Sequence, residues 1–187
     1  MRFAVIGPGR AGRSFAGALT DTGAYLASLV GRAEDPAQLE PDLDLVIIAV
    51  PDRAIASVAA RVPVGPLVVH VSGATTLEPL AEHHQRCGSL HPLVSLPDPR
   101  RGAAALRSGV HMAIAGSTPE ALAEVRAIAD RLGAHWFEVG DEHRAAYHAA
   151  AAIAANHIVG LLGQVDRITD GHGIPLAPFF LDVILPV

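Results

Sequence analysis

The sequence predicts an α/β fold in which a doubly wound parallel sheet is followed by an α-helical unit. Three observations carry that reading. A short apolar strand runs straight into a glycine-rich turn at the start of the chain. Apolar runs of strand length then alternate with helical segments as far as Val139, and beyond Glu142 the pattern changes to one long alanine-rich helix. The expected division is residues 1–140 for the sheet unit and 141–187 for the helical one. A chain of 187 residues, half of them apolar, has the material for a proper core.

The first strand ends in Gly7-Pro8-Gly9-Arg10-Ala11-Gly12, a GxGxxG turn, and residues 14–19 (SFAGAL) continue it as a small-residue helix. Each glycine has a mechanical task. Gly7 permits the tight exit from the strand, Gly9 lets backbone N–H groups approach a pyrophosphate, and Gly12 lets the helix pack close to the sheet. The pyrophosphate would rest on the helix N-terminus, where unpaired N–H groups and the positive dipole end favour an anion. The motif therefore points to a Rossmann-like dinucleotide site.

Residues 24–30 (AYLASLV) read as the second strand, with a polar, proline-containing helical turn after Gly31-Arg32. Residues 43–50 (LDLVIIAV), apolar on both faces, are the strongest strand signal and fit a central parallel strand that stops at Pro51-Asp52. A short amphipathic helix over 53–61 and a buried strand over 67–71, ending at Ser72-Gly73, complete another unit. Residues 76–84 read as helix, 87–99 as a proline-rich segment with a strand core, 110–115 as strand, 119–132 as a capped helix, and 135–139 as the last strand. The long helix covers 142–168, and a second helix starts over 177–184. The chain finishes on the apolar run FFLDVILPV, which predicts a helical domain that is truncated or completed by a partner.

The net charge of −5, from 19 acidic and 14 basic residues without long like-charge runs, gives no electrostatic case for nucleic acid or an anionic membrane. All the basic residues are arginine, so no lysine can act as a catalytic acid. Cys87 is the only cysteine, which excludes an intrachain disulfide and suits a reducing cytoplasm. No signal peptide is evident, and no uninterrupted apolar stretch approaches the ~20 residues of a membrane span. The expectation is a soluble protein.

Five motifs in order, GPGRAG, AVPD (49–52), HVSGA (70–74), SLHPLVS (89–95) and the helix carrying Tyr147, His148 and Asn156, resemble a family of NADP-dependent oxidoreductases. That family has a Rossmann-like N-terminal domain and a C-terminal helical domain of uncharacterised function, within the wider group related to 6-phosphogluconate dehydrogenase. The resemblance spans essentially the whole chain and implies NADPH as cofactor, a small carbonyl or imine substrate, and a homodimer joined through residues 147–187. It also implies kinship with pyrroline-5-carboxylate reductase, ketopantoate reductase and prephenate dehydrogenase. Many relatives carry a lysine four residues before the helix asparagine, and the corresponding residue here is Ala152. That departure keeps a non-catalytic nucleotide-binding or redox-sensing module open as the competing class.

Arg32 falls where NAD-specific folds place an acid for the ribose hydroxyls, and an arginine there can receive a 2′-phosphate instead. Glu34 and Asp35 are the competing ribose carboxylates. Val50, Pro51, Asp52, Ser72 and Gly73 close adjacent strands and are expected to border the nicotinamide, although an aspartate after proline is as often a cap. His91, read as part of a loop, could bind a carboxylate, relay a proton, or stiffen that loop. His83, His84 and Cys87 lack the paired spacing of zinc modules, so no metal site is assigned. Tyr147, His148 and Asn156 are the polar candidates on an apolar helix. His148, Ala152 and Asn156 form an i, i+4, i+8 row, about 12 Å long, with either a proton-donating or a purely structural role.

Overall fold

The computed structural model describes residues 1–175 and Ala177. The strands are β1 (Arg2–Ile6), β2 (Tyr25–Val30), β3 (Leu45–Ile48), β4 (Leu67–His70), β5 (Cys87–Pro92), β6 (His111–Gly116) and β7 (His135–Glu138). They form one sheet in the order β2-β1-β3-β4-β5-β6-β7. The chain moves out from β1 to β2 and returns to β3 on the other side, so the topological switch point lies at β1.

Alternation along the central strands feeds two cores. Phe3, Val5, Ile47 and Val69 pack on one face with Phe15 and Leu19 of α1 (Arg10–Thr20). Ala4, Ile6, Val46, Ile48 and Val68 pack on the other with Ile55 and Ala59 of α2 (Ile55–Ala59) and Leu80 of α3 (Glu78–Ala81). Strands apolar on both faces belong in the middle of a two-sided parallel sheet.

Two features of the sheet unit depart from the expected pattern. Residues 99–106 form a helix, α4 (Pro99–Leu106), capped by the Asp98 carboxylate accepting from the Arg101 amide at 2.9 Å. It packs on α1 so closely that a Cβ on Gly102 would overlap the Ser14 side chain. Because the chain emerges from α4 near the end of β5, β6 runs antiparallel to it, with Pro92 opposite Met112; the other pairings are parallel. His91 is accordingly paired with Ala113 inside β5 and does not lie in a loop. The last helix of this unit is α5 (Pro119–Arg131), capped by Thr118 Oγ1, which accepts from the Ala121 amide at 3.2 Å.

By contact, the chain divides into compact units Met1–Ala145 and Ala146–Val187. The predicted long helix is present as one helical run, Asp141–Asp170, made of α6 (Arg144–Ala152), a π-helical turn (Ile153–His157) and α7 (Ile158–Asp170). The π turn inserts extra backbone and rotates the helix after it by roughly 100°. Positions 148 and 156 therefore do not share one α-helical row. Asp141–Asp170 is, among the described residues, the one helical run long and apolar enough to cross a membrane, interrupted by His148, Asn156 and His157. Ile153, Ile158, Val159, Leu161 and Ile168 are exposed along it. Apart from Ala177, the helix expected over 177–184 and the FFLDVILPV run lie outside the described residues.

Candidate dinucleotide site

The glycine turn is built as its spacing requires. Gly7 has φ +101°, and a Cβ there would overlap the Ala49 carbonyl; a Cβ on Gly12 would overlap the Gly7 carbonyl. Both positions exclude larger side chains for steric reasons internal to the chain. Gly9 differs, because a Cβ on it would meet nothing within 4 Å. It serves as N-cap of α1 with no side-chain cap, and the first turn of that helix holds no acidic residue. The helix thus presents unsatisfied N–H groups and its positive end to open space.

That space is a cleft of about 550 Å³ lined by the ends of four adjacent strands and the turns after them. Gly9, Arg10 and Ala11 come after β1, Ala49, Val50 and Pro51 after β3, Val71 after β4, and His91 and Pro92 end β5. Val94, Ser95 and Leu96 close the far wall. The sheet topology brings these sequence-distant motifs to the carboxyl edge at the switch point, where open α/β sheets bind ligands. Asp52 stands just outside, exposed, in the first turn of a 3₁₀ segment (Asp52–Ala54) whose N-cap is Pro51.

Arg32 is exposed, one residue past the glycine at the end of β2, and makes no hydrogen bond or ion pair among the described residues. Its two acidic competitors are engaged locally. Glu34 Oε2 accepts from the Gly31 amide. Asp35 accepts from the Ala37 amide at 2.8 Å and pairs with Arg61 at 2.7 Å. Both acids line a separate depression of about 380 Å³ beside β2.

Ser72 and Gly73 are buried and do not line the cleft. Ser72 Oγ accepts from the Ala74 and Thr75 amides at 3.2 and 3.0 Å, and the Ser72 amide donates to His70 Nδ1 at 3.2 Å. With Nδ1 accepting, Nε2 carries the proton and donates to the Thr76 carbonyl at 3.2 Å. Burial, helped by the positive charge of Arg144, lowers the His70 pKa to about 4, against the Thr76 hydrogen bond and the charges of Asp52 and Asp141. An unfolded histidine takes up its proton near 6.5, so the unfolded chain binds more protons between pH 6.5 and 4, and stability falls as pH falls through that window. From pH 7 to 5 the expected loss through His70 is about 2 kcal/mol. Urea denaturation of wild type and His70→Gln at both pH values checks this; an equal drop in both would clear His70 of the effect.

His84 is buried with Nε2 2.9 Å from the Ala59 carbonyl, and Cys87 lies in the core with its thiol pKa raised by burial. Among the described residues no group of three His, Cys, Asp or Glu could hold a metal. Tyr147 is half-buried and His148 exposed on α6, while the backbone of Asn156 lies in the π turn.

The most buried charge among the described residues carries none of the sequence signals above. Arg144, the first residue of α6, has a side chain only 1% exposed. Its Nη1 donates to the Ser72 carbonyl at 3.4 Å, its Nη2 to Ser89 Oγ, and its Nε lies 3.4 Å from Asp141 Oδ1. Asp141 in turn accepts from the Leu77 amide at 2.9 and 3.1 Å. One signal was available: an arginine in the first turn of a helix opposes the helix dipole and calls for a partner elsewhere.

The family described as a domain of unknown function (DUF2520) matches residues 110–186. No curated protein matches the chain. Solved structures do. A protein from Thermotoga maritima is 24% identical with a TM-score of 0.72, over 98% of this chain and 77% of that one. An imine reductase from Streptomyces aurantiacus is 18% identical with a TM-score of 0.70, over 96% and 70%. A pyrroline carboxylate reductase from Plasmodium falciparum, solved with NADP bound, is 12% identical with a TM-score of 0.69, over 95% and 72%. At these identities the likeness establishes the Rossmann-like α/β fold.

Proposed function

We propose that the protein is an NADPH-dependent oxidoreductase that moves hydride between the nicotinamide and a small carbonyl or imine substrate. The observation that carries the reading is the open Gly9 position at the uncapped N-terminus of α1, facing a cleft lined by four strand ends. The residues fit a dinucleotide: Gly7 to Gly12 supply a backbone cradle for the pyrophosphate and Arg32 a free guanidinium for the 2′-phosphate. The nicotinamide supplies the hydride when bound. Val50, Pro51 and Val71 exclude water around the ring, and His91 holds a polar group of the substrate. Tyr147 or His148 gives the proton. The names of the imine reductase and of the pyrroline carboxylate reductase with bound NADP support this choice of chemistry. A screen of NADPH oxidation against cyclic imines, oxo acids and simple carbonyls tests it. Ala152, in the position where many relatives of the resembled family carry lysine, favours the second reading, a module that binds NADP without turnover. Binding with no turnover across the screen would select it.

Arg32 sets the nucleotide preference. Arg32→Asp should lower the preference for NADPH over NADH by on the order of tenfold or more, because charge-assisted bonds to the 2′-phosphate are replaced by repulsion. Fluorescence titration with both nucleotides measures it, and an unchanged ratio would remove Arg32 from the site.

The proposed assembly is a cytoplasmic homodimer joined through residues 147–187. Its support is the exposed row Ile153, Ile158, Val159, Leu161 and Ile168, more apolar surface than one helix in water ordinarily shows. Sedimentation at micromolar concentration should give twice the chain mass; a monomer would contradict it.

A further inference from the structure

The β4–β5 ladder ends at the pair His70 and Ser89. Beyond it the strand ends separate, β4 leading to Val71 and Ser72 while β5 continues to His91 beside β6. Arg144 sits at that parting. Its guanidinium donates to the Ser72 carbonyl on one side and to Ser89 Oγ on the other, taking the place of the missing ladder bonds. Both contacts adjoin cleft wall: Ser72 comes directly after Val71, and Ser89 and His91, two residues apart in one strand, face the same side of the sheet. Asp141 faces the guanidinium from the third side as an ion pair, its Oδ1 3.4 Å from Nε, and ties the Leu77 amide to the same cluster. A charge this thoroughly buried is costly to keep unless its partners are well placed, and a planar fork bonded to two strands sets the distance between them.

We propose that Arg144, oriented by Asp141, is a positioning residue that sets the spacing of the Val71 and His91 walls, and through them the seat of the nicotinamide half of the dinucleotide. This rests on the nucleotide reading above. The adenosine half belongs to the β1–β2 side of the switch point, where Arg32 lies, and the nicotinamide half to the β3–β5 side. Arg144 should therefore govern one half of the cofactor and not the other.

The test compares NADPH with adenosine 2′,5′-bisphosphate, which is the adenosine end of NADPH without its nicotinamide. Calorimetric titrations of wild type, Arg144→Lys and Ser89→Ala are run with both. Arg144→Lys keeps the charge but loses the fork; Ser89→Ala removes one contact and leaves the Arg144–Asp141 pair in place. Arg144→Lys should weaken NADPH by about tenfold, and Ser89→Ala by less in the same direction. Both variants should hold the bisphosphate within about twofold of wild type. Equal weakening of the two ligands, or unchanged NADPH affinity in the folded variants, overturns the positioning role and leaves the nucleotide reading intact. If Arg144→Lys does not fold, Ser89→Ala decides alone by the same criterion. A wild-type chain that binds neither ligand overturns the nucleotide reading and the positioning role with it.

Discussion

Gly9→Asp is expected to leave the fold intact and to weaken NADPH binding by on the order of a hundredfold. The two halves of that statement have separate causes. Gly9 has φ −75° and ψ −171°, extended backbone that any residue adopts, and a Cβ there would meet nothing within 4 Å. An aspartate can therefore be built without strain. Its carboxylate would then occupy the space proposed for the pyrophosphate and would cap the N–H groups otherwise offered to it. Gly7 and Gly12 give no such clean test, because side chains there collide with the chain's own backbone. Thermal melting together with an NADPH titration reads both halves. A folded Gly9→Asp protein that binds NADPH as wild type does would show that the turn is not the pyrophosphate cradle.

The other large effect concerns the proton. With no lysine in the chain, the donor has to come from another residue type, and Tyr147 and His148 are the titratable groups on α6 beyond its buried first arginine. Tyr147→Phe or His148→Ala should lower turnover of a substrate found by the screen on the order of a hundredfold, the usual scale for losing a positioned general acid. The affected variant should keep NADPH affinity and lose the basic or acidic limb of the wild-type pH profile. If both variants turn over at the wild-type rate, neither supplies the proton and the role passes to water or His91.

Much of the fold is legible in local chemistry. The glycine turn, the apolar strands at 43–50 and 67–71 and the capped helix after Thr118 declare themselves because their signals are short-range: turn sterics, burial on both faces, a side-chain cap. The cleft is legible in part: the strand ends carrying GPGRAG and AVPD meet at one edge of a doubly wound sheet, whereas His91 reads as a loop residue and reaches that edge within β5. The hidden parts depend on distant or weak information. Helix α4 is signalled only by Asp98 ahead of Pro99, at the end of the proline-rich segment 87–99. The antiparallel direction of β6 is set by where α4 delivers the chain, which no local pattern encodes. The π turn falls in IAANH, with neither Gly nor Pro to mark it. Ser72 reads as a cleft residue from its place after β4, yet it is buried away from the cleft with its Oγ accepting from the Ala74 and Thr75 amides. Arg144 was hidden because its partners, Ser72 and Ser89, are 72 and 55 residues away.

The most direct test of the central claim is calorimetric titration of the wild-type chain with NADPH and with NADH under identical salt. The cradle at α1 and the free guanidinium of Arg32 predict saturable binding of one nucleotide per chain, tighter for NADPH by on the order of tenfold or more. Absence of binding by either nucleotide would contradict the account.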